Sequence, residues 1–493
     1  MAGNRISVSE RTRGDSSPRR LPRSGVMLLL LFAGTGLWGA EHDAGIRKSP
    51  LWRCSTGDEK HVLWRVKPGD LQTGPIAVRG RKILVGAALT RGQGGVAEDC
   101  GAMSCYDEDG TLLWRATHPR VGRRIHDTGQ PIQSKPCFDG KRAYYVSNRG
   151  EFTCVDLEGF RDGGNDGPFQ AEAQSGLTNA DLVWKIDMMA ELGVFKREAG
   201  DVGNPLSSPI VIGDLVFCVT GHGRRLISGN SRADPRPPSF LAANKLTGKV
   251  VWSSNAPGTN IFYGQWSSPV HARVKQIDQV IFPGGDGWLY GFEAASGRLL
   301  WKFDCTEPEA KDWFSQAGGW TGLRELKNFF VATPVVHDNV LYVGLNKDFE
   351  WPSSGPLLAI QLNTQDGQPR IKWKFGPPEF GGTYTSAAAA DGIVFITGNQ
   401  GILFALDADN GRELWHASLE DGRNIYASPI VKNGKVYAGA EITLAVFAAA
   451  REKKCFERYE FDGAYPSTPQ ISGERLYVSV GDSLWALRLS DSR

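Results

Sequence analysis

Between residues 61 and 490 the chain falls into short runs in which apolar and polar positions alternate, separated by glycine-rich breaks. A period of two marks a half-buried strand, and DG or NG breaks between two such runs mark tight hairpins. The clearest unit is "LFALDADNGRELW" (Leu403–Trp415), two strands around a turn closed by a tryptophan. It recurs as "SCYDEDGTLLW", "LAANKLTGKVVW", "YGFEAASGRLLW" and "LAIQLNTQDGQPRIKW", and in degraded form as "LAVFAAAREKKCFERY". Upstream of each copy stands another hairpin, such as "SSPIVIGDLVFCVTG" or "ASPIVKNGKVYAG". One repeat therefore predicts four antiparallel strands, here A to D. The A strands start at Pro75, Pro136, Pro209, Pro269, Pro334, Pro429 and Pro469, with Ala387 in the same place. That spacing predicts an all-β chain, an eight-bladed β-propeller of four-stranded antiparallel blades. The last copy stops before its D strand, and "HVLWRV" (His61–Val66) supplies one, so the N-terminal strand closes the last blade and leaves no open sheet at the seam. Ten residues before Trp252, Trp301 and Trp415 stand Ala242, Gly291 and Ala405, with Cys105, Cys154, Ala359, Ala445 and Ala486 matching elsewhere. All are small, as expected where neighbouring blades press on strand C.

The first forty residues do not belong to this pattern. Six arginines against Glu10 and Asp15 precede the apolar run "VMLLLLFAGTGLWGA" (Val26–Ala40). A basic stretch, a short apolar core and a small-residue end describe an export signal, cleaved after Ala40, or an uncleaved anchor. The expected organisation is a signal or anchor over 1–40, a linker over 41–60 and the propeller over 61–490. Of 56 basic and 54 acidic residues in the whole chain, 50 and 52 remain after the leader. That near-neutral body argues against a nucleic-acid partner.

The repeat resembles the pyrroloquinoline-quinone (PQQ)-type propeller repeat of quinoprotein alcohol dehydrogenases, a tryptophan-docked eight-bladed fold that the outer-membrane β-barrel assembly lipoprotein shares without the cofactor. "GFRDGGNDGPF", "LVWKIDMMAELGV", "GQWSSPV" and "VIFPGGDGWLYGFEA" are similar to strings in exported PQQ-like repeat proteins of planctomycete-type bacteria, whose function is unassigned. The resemblance spans Trp52 to Leu489. It implies the fold strongly and an activity hardly at all.

Antiparallel order puts the A–B and C–D turns at one end of the ring and the B–C and D–A connections at the other. The longest insertions, among them "GHGRRLISGNSRADPRPPS" and "TEPEAKDWFSQAGGWTGLRELKN", are B–C and D–A connections. Long loops on one end of a rigid frame are where binding sites sit, and we call that end the loop face. Residues just before the A-strand prolines should line the channel mouth there, and an arc of Trp266, Tyr384, Tyr426 and Tyr465 would offer stacking surfaces with polar tips. The alternative is that these rings plug the channel between blades. Asp286, Asn399 and Arg149 fall on adjacent B–C connections, and Asn204, in "DVGNPLSSP", leads into blade 3. The acidic string with Asp162, Asn165 and Asp166 admits a calcium reading, although its spacing departs from the D-x-[DN]-x-[DN]-G loop and a polar turn accounts for it equally. His222 is expected on a solvated loop. The eight cysteines include three at core positions, Cys105, Cys154 and Cys218, and one close pair, Cys100 with Cys105.

Quinoprotein dehydrogenases carry a vicinal cysteine pair, which this chain lacks, and there is no C-x-x-C-H, G-x-S-x-G or P-loop string. The sequence therefore points to a non-catalytic binding or scaffold propeller in the periplasm or cell envelope, with no cofactor. Its partner would be an envelope protein, a small molecule or a carbohydrate at the loop face, and any membrane contact would run through an uncleaved leader. The alternative is a divergent oxidoreductase that uses PQQ and calcium on an alcohol or sugar.

Overall fold

Strands B and C of each repeat are apolar at almost every position, so both of their faces must be covered. A ring of radially packed sheets does this, because each sheet is sandwiched between two others. The computed structural model describes residues 51–54, 61–70, 73–92, 96, 98–120, 131–172, 175–194, 207–223, 233–261, 264–306, 330–346, 355–419, 427–440, 442–462 and 467–489. Within them the strands form eight antiparallel four-stranded blades at 76–119, 137–187, 210–254, 270–304, 335–375, 388–418, 430–461 and 470–488, the last completed by Val62–Val66. Four A–B hairpins have left-handed residues at both turn positions, as at Asp391 (φ 49°) and Gly392 (φ 72°) or Asn433 (φ 51°) and Gly434 (φ 70°), and the other four have a left-handed glycine at the first position alone, as at Gly80 (φ 59°). That is the twist a two-residue hairpin requires.

Closure is as expected from the sequence. Val62 pairs with Leu487, Trp64 with Ala486 and Val66 with Leu484. A further strand, Leu51–Cys54, lies in the segment expected to be linker and pairs in parallel with Arg458–Phe461 of blade 7. Blade 7 is the one whose D strand carries Arg458 opposite Ala445, where the other blades carry tryptophan.

The tryptophans explain the repeat. Each of the seven stands directly across strand C from the small residue singled out in the sequence, for example Trp415 from Ala405 and Trp114 from Cys105. The residue before each tryptophan is bulged out of the ladder. Such a bulge re-aims the side chain that follows it. In six joints the indole Nε1–H donates to a backbone carbonyl of the next blade: Trp64 to Glu108, Trp114 to Leu157, Trp184 to Lys245, Trp252 to Ala294, Trp373 to Ala408 and Trp415 to Ala450, all at 2.7–3.0 Å. In five of the six the ring lies under a glycine of that blade's C–D connection, Gly110, Gly159, Gly248, Gly297 or Gly411. A Cβ on Gly411 (φ 72°) would stand 2.6 Å from the Trp373 ring. This is why the turn ends in glycine.

Trp301 breaks the rule. Its Nε1 donates to Gln279 Oε1 of its own blade at 2.8 Å, and its ring lies over Gly291. The joint to blade 5 is made instead by Lys275, whose Nζ reaches Gln365 O at 2.7 Å.

Hydroxyls ahead of the A strands add a belt of inter-blade bonds. Lys135 N–H donates to Ser208 Oγ, Ser208 N–H to Ser268 Oγ, Ser386 N–H to Ser428 Oγ and Ser428 N–H to Thr468 Oγ1. The recurrent Ser-Ser-Pro, Ala-Ser-Pro and Ser-Thr-Pro strings are the sequence trace of this belt. The seven cysteines from Cys100 to Cys455 are free thiols, Cys105, Cys154 and Cys218 among them fully buried. Cys100 and Cys105 share one strand. Five residues of extended chain, about 17 Å, separate their α-carbons, too far for a bridge.

These contacts predict opposite sensitivities at equivalent positions. Gly291→Ala puts a Cβ 2.1 Å from Trp301 Cε2 and should destabilise by about 1–3 kcal/mol. Ala359→Gly, at the matching place in blade 5, should cost only about 0.5–1 kcal/mol. Denaturant midpoints of the two variants check this, and an unchanged midpoint for Gly291→Ala would contradict the packing of Trp301.

Candidate functional site

Several of the loop-face connections lie outside the described residues, and Asn204, Tyr426 and Tyr465 lie there with them. Arg224 and Arg225 do too. The described part of this end is held together tightly. Gln265, in the stretch that leads into strand A of blade 4, donates through Nε2 to His222 O and Ser239 Oγ of blade 3, both at 2.9 Å. Beside it Trp266 is buried, with 9% of its surface exposed. His222, expected on a solvated loop, is also buried, and its Nε2 stands 2.8 Å from Asp234 O.

Asp286 closes the B–C turn of blade 4. It accepts the Tyr290 hydroxyl at 2.6 Å on one oxygen and the Trp288 N–H at 3.1 Å on the other. Burial pushes its carboxyl up to about 6 against the pull of these donors. In blade 6 Asn399 donates its backbone N–H to Gly382 O at 2.9 Å and its amide to Asn346 Oδ1 of blade 5 at 3.1 Å. Tyr384 is half-buried on the same stretch. It sits between Thr383 and Thr385, whose hydroxyls both donate to Thr397 O. Trp266 thus neighbours the Asp286 turn, and Tyr384 the Asn399 turn, each pair within one blade.

Arg149 leads to a constellation that motif reasoning missed. Glu151, first residue of strand C in blade 2, is buried and faces His118 Nδ1 at 2.7 Å, Lys185 Nζ at 3.0 Å and the Arg149 guanidinium at 3.4 Å. His118 Nε2 lies 2.8 Å from the Tyr145 hydroxyl. The array bridges blades 1 and 2 at their loop-face end. Burial works to raise the Glu151 carboxyl, but His118 and Lys185 outweigh it and hold it well below the usual carboxylate range. Tyr145 is fully buried, which drives its phenol far up and keeps it a neutral hydrogen-bond partner. The sequence signal was small: a charged residue opening strand C where blades 4, 6, 7 and 8 have Trp288, Ile402, Thr443 and Ser483.

At the other end, the acidic string forms the C–D insertion of blade 2. Asp162 and Asp166 come together with Asp156, each offering an oxygen within 4.8 Å of the others. Asn165 turns away to Glu172 Oε2 at 3.2 Å.

The family model described as outer membrane protein assembly factor BamB (PQQ_2) matches residues 178–318 and 241–493. The chain belongs to this family. Among curated relatives, the BamB of Moranella endobia (strain PCIT) is 21% identical over 293 residues, 59% of this chain and 64% of that protein. The match therefore spans less than two thirds of that relative's length. Among solved structures, BamB from Moraxella catarrhalis superposes with a TM-score of 0.53 at 14% identity, covering 88% of this chain and 98% of that one. A europium-containing methanol dehydrogenase superposes at 0.52 and 12% identity, covering 87% and 93%. Such distant likenesses show the shared fold, and the family holds this fold in common with enzymes of a different chemistry. No helix among the described residues is long and apolar enough to cross a membrane.

In this BamB-type ring Asp286 should leave a signature in stability against pH. Its folded value of about 6 lies above the ordinary 3.8, so the folded state holds its proton more tightly. The group's contribution therefore falls as pH rises from about 4 to about 6, by on the order of 3 kcal/mol. Asp286→Asn should flatten that window, measured by urea unfolding across pH. An unchanged slope would remove Asp286 as its source.

Proposed function

We propose that the protein is an exported, non-catalytic propeller that binds an envelope protein at its loop face. The family match carries this reading, because it covers blades 3 to 8 and its description is that of an assembly factor. The state of the loop-face side chains supports it. Asp286, Arg149 and Asn399 are all engaged by partners inside the fold, as structural posts rather than as reagents. The half-buried Tyr384, with Tyr426 and Tyr465 before the next two A strands, would then supply the apolar, hydrogen-bonding contacts on which protein interfaces concentrate their energy. The leader at 1–40 would take the chain across the inner membrane and either be removed or stay as a tether.

Crosslinking of the full chain in the envelope of its host, followed by capture and identification, tests this. Tyr384→Ala with Tyr426→Ala should weaken the captured complex about tenfold or more while leaving the melting temperature in place. Titration with PQQ and calcium, read by absorbance and dye-linked alcohol oxidation, is the counter-test. Stoichiometric binding with turnover would replace the scaffold reading by an oxidoreductase.

A further inference from the structure

The acidic insertion of blade 2 sits on the end of the ring away from the loop face. It runs from the end of strand C at Asp156 to the start of strand D at Leu182. A short 3₁₀ turn, Gly159–Asp162, capped by Gly163 (φ 83°), folds it back on itself. Its far part lies along strand D of blade 1, with Arg115 N–H donating to Thr178 O at 3.0 Å and Ala180 N–H to Arg115 O at 3.1 Å. This fold-back brings the carboxylates of Asp156, Asp162 and Asp166, six and four positions apart, within 4.8 Å of one another, with Asp181 held beside them by the Asp166 backbone.

Two of these carboxylates are buried and incompletely satisfied. Asp156 is 0% exposed and Asp181 1%. Asp156 Oδ1 accepts Glu158 N–H at 2.7 Å, and its other oxygen is buried with no hydrogen-bond donor. Asp181 Oδ2 accepts Asp166 N–H at 2.8 Å, which fixes it against the cluster, and its Oδ1 is likewise buried without a donor. The cations of the loop are committed elsewhere: Arg161 to Leu177 O, Lys82 to Glu158 and Leu157 O. A buried carboxylate oxygen without a partner is costly, and a cation is the partner that would satisfy several at once.

We propose that the carboxylates of Asp156, Asp162 and Asp166 bind a calcium ion. Hard oxygen donors on a glycine-rich loop suit that ion, which takes carboxylates together with backbone carbonyls and water. The ion would also act on the ring. Leu157 and Gly159, between the first two ligands, form the socket of Trp114, whose Nε1 donates to Leu157 O and whose ring lies under Gly159. Bound calcium would lock the socket and the strap over blade 1 together, making the first joint cation-dependent.

Calcium titration calorimetry on the full chain, with melting temperatures in EDTA and in calcium, tests this. We expect saturable binding of one ion and a higher melting temperature in calcium. Asp162→Asn with Asp166→Asn, at positions exposed enough to leave the fold intact, should abolish both. Asp109→Asn, in the C–D turn of blade 1, should change neither. The proposal is overturned by absence of binding, by undiminished affinity in the double variant, or by an equal response to magnesium at the same concentration.

Discussion

The pairing of Val62–Val66 with Leu484–Leu487 is the bond on which the ring depends, because without it blade 8 has three strands and the outermost edge at the seam is bare. Arg65 and Ser483, which share a hydrogen bond across this seam, are 418 residues apart in the chain. Bringing such distant segments together costs roughly 5 kcal/mol in chain entropy. The seam offsets it with the strand ladder, the Trp64 indole on Glu108 O, the Lys67–Asp482 ion pair and the Arg65 guanidinium 4.4 Å over the Trp485 ring. These contacts join the two ends of the ring and no intermediate part of it.

Around the rest of the ring the same problem is solved by local means. Each blade is a sheet with a bare outer strand, and each must be fixed to a neighbour at a defined angle. The indole clasp does this from the outer strand and the hydroxyl belt from the inner one. Where the clasp is missing, at blade 7, a parallel fifth strand covers the edge. Where it is turned inward, at blade 4, a lysine reaches across. The insertion in blade 2 lies on one of these joints, since its Leu157 O receives the Trp114 indole.

Most of this frame was legible because a repeat states each rule many times. Period-two runs, NG and DG hairpins, the tryptophan and the small residue opposite it appear in copy after copy, so one degraded unit does not hide the pattern. The small positions had been read as places where blades press together. They stand across the ladder from the tryptophan, a distinction only register can show. The site was less legible for the opposite reason. Glu151, His118 and Tyr145 come from three strands of two blades, and Asp156 and Asp181 bracket an insertion of variable length, so no fixed spacing announces either group. Asn165 shows the converse failure, since sequence proximity placed it with Asp162 and Asp166 while its amide pairs with Glu172.

The buried thiols carry a consequence of their own. Burial raises Cys100 to about 11 and Cys105 and Cys137 to about 12. At neutral pH about one such thiol in ten thousand, or fewer, is the reactive thiolate. These side chains therefore behave as small apolar fillers in a reducing or an oxidising compartment alike. Among the described side chains no disulfide joins one blade to another, so these blades are held together without an oxidant.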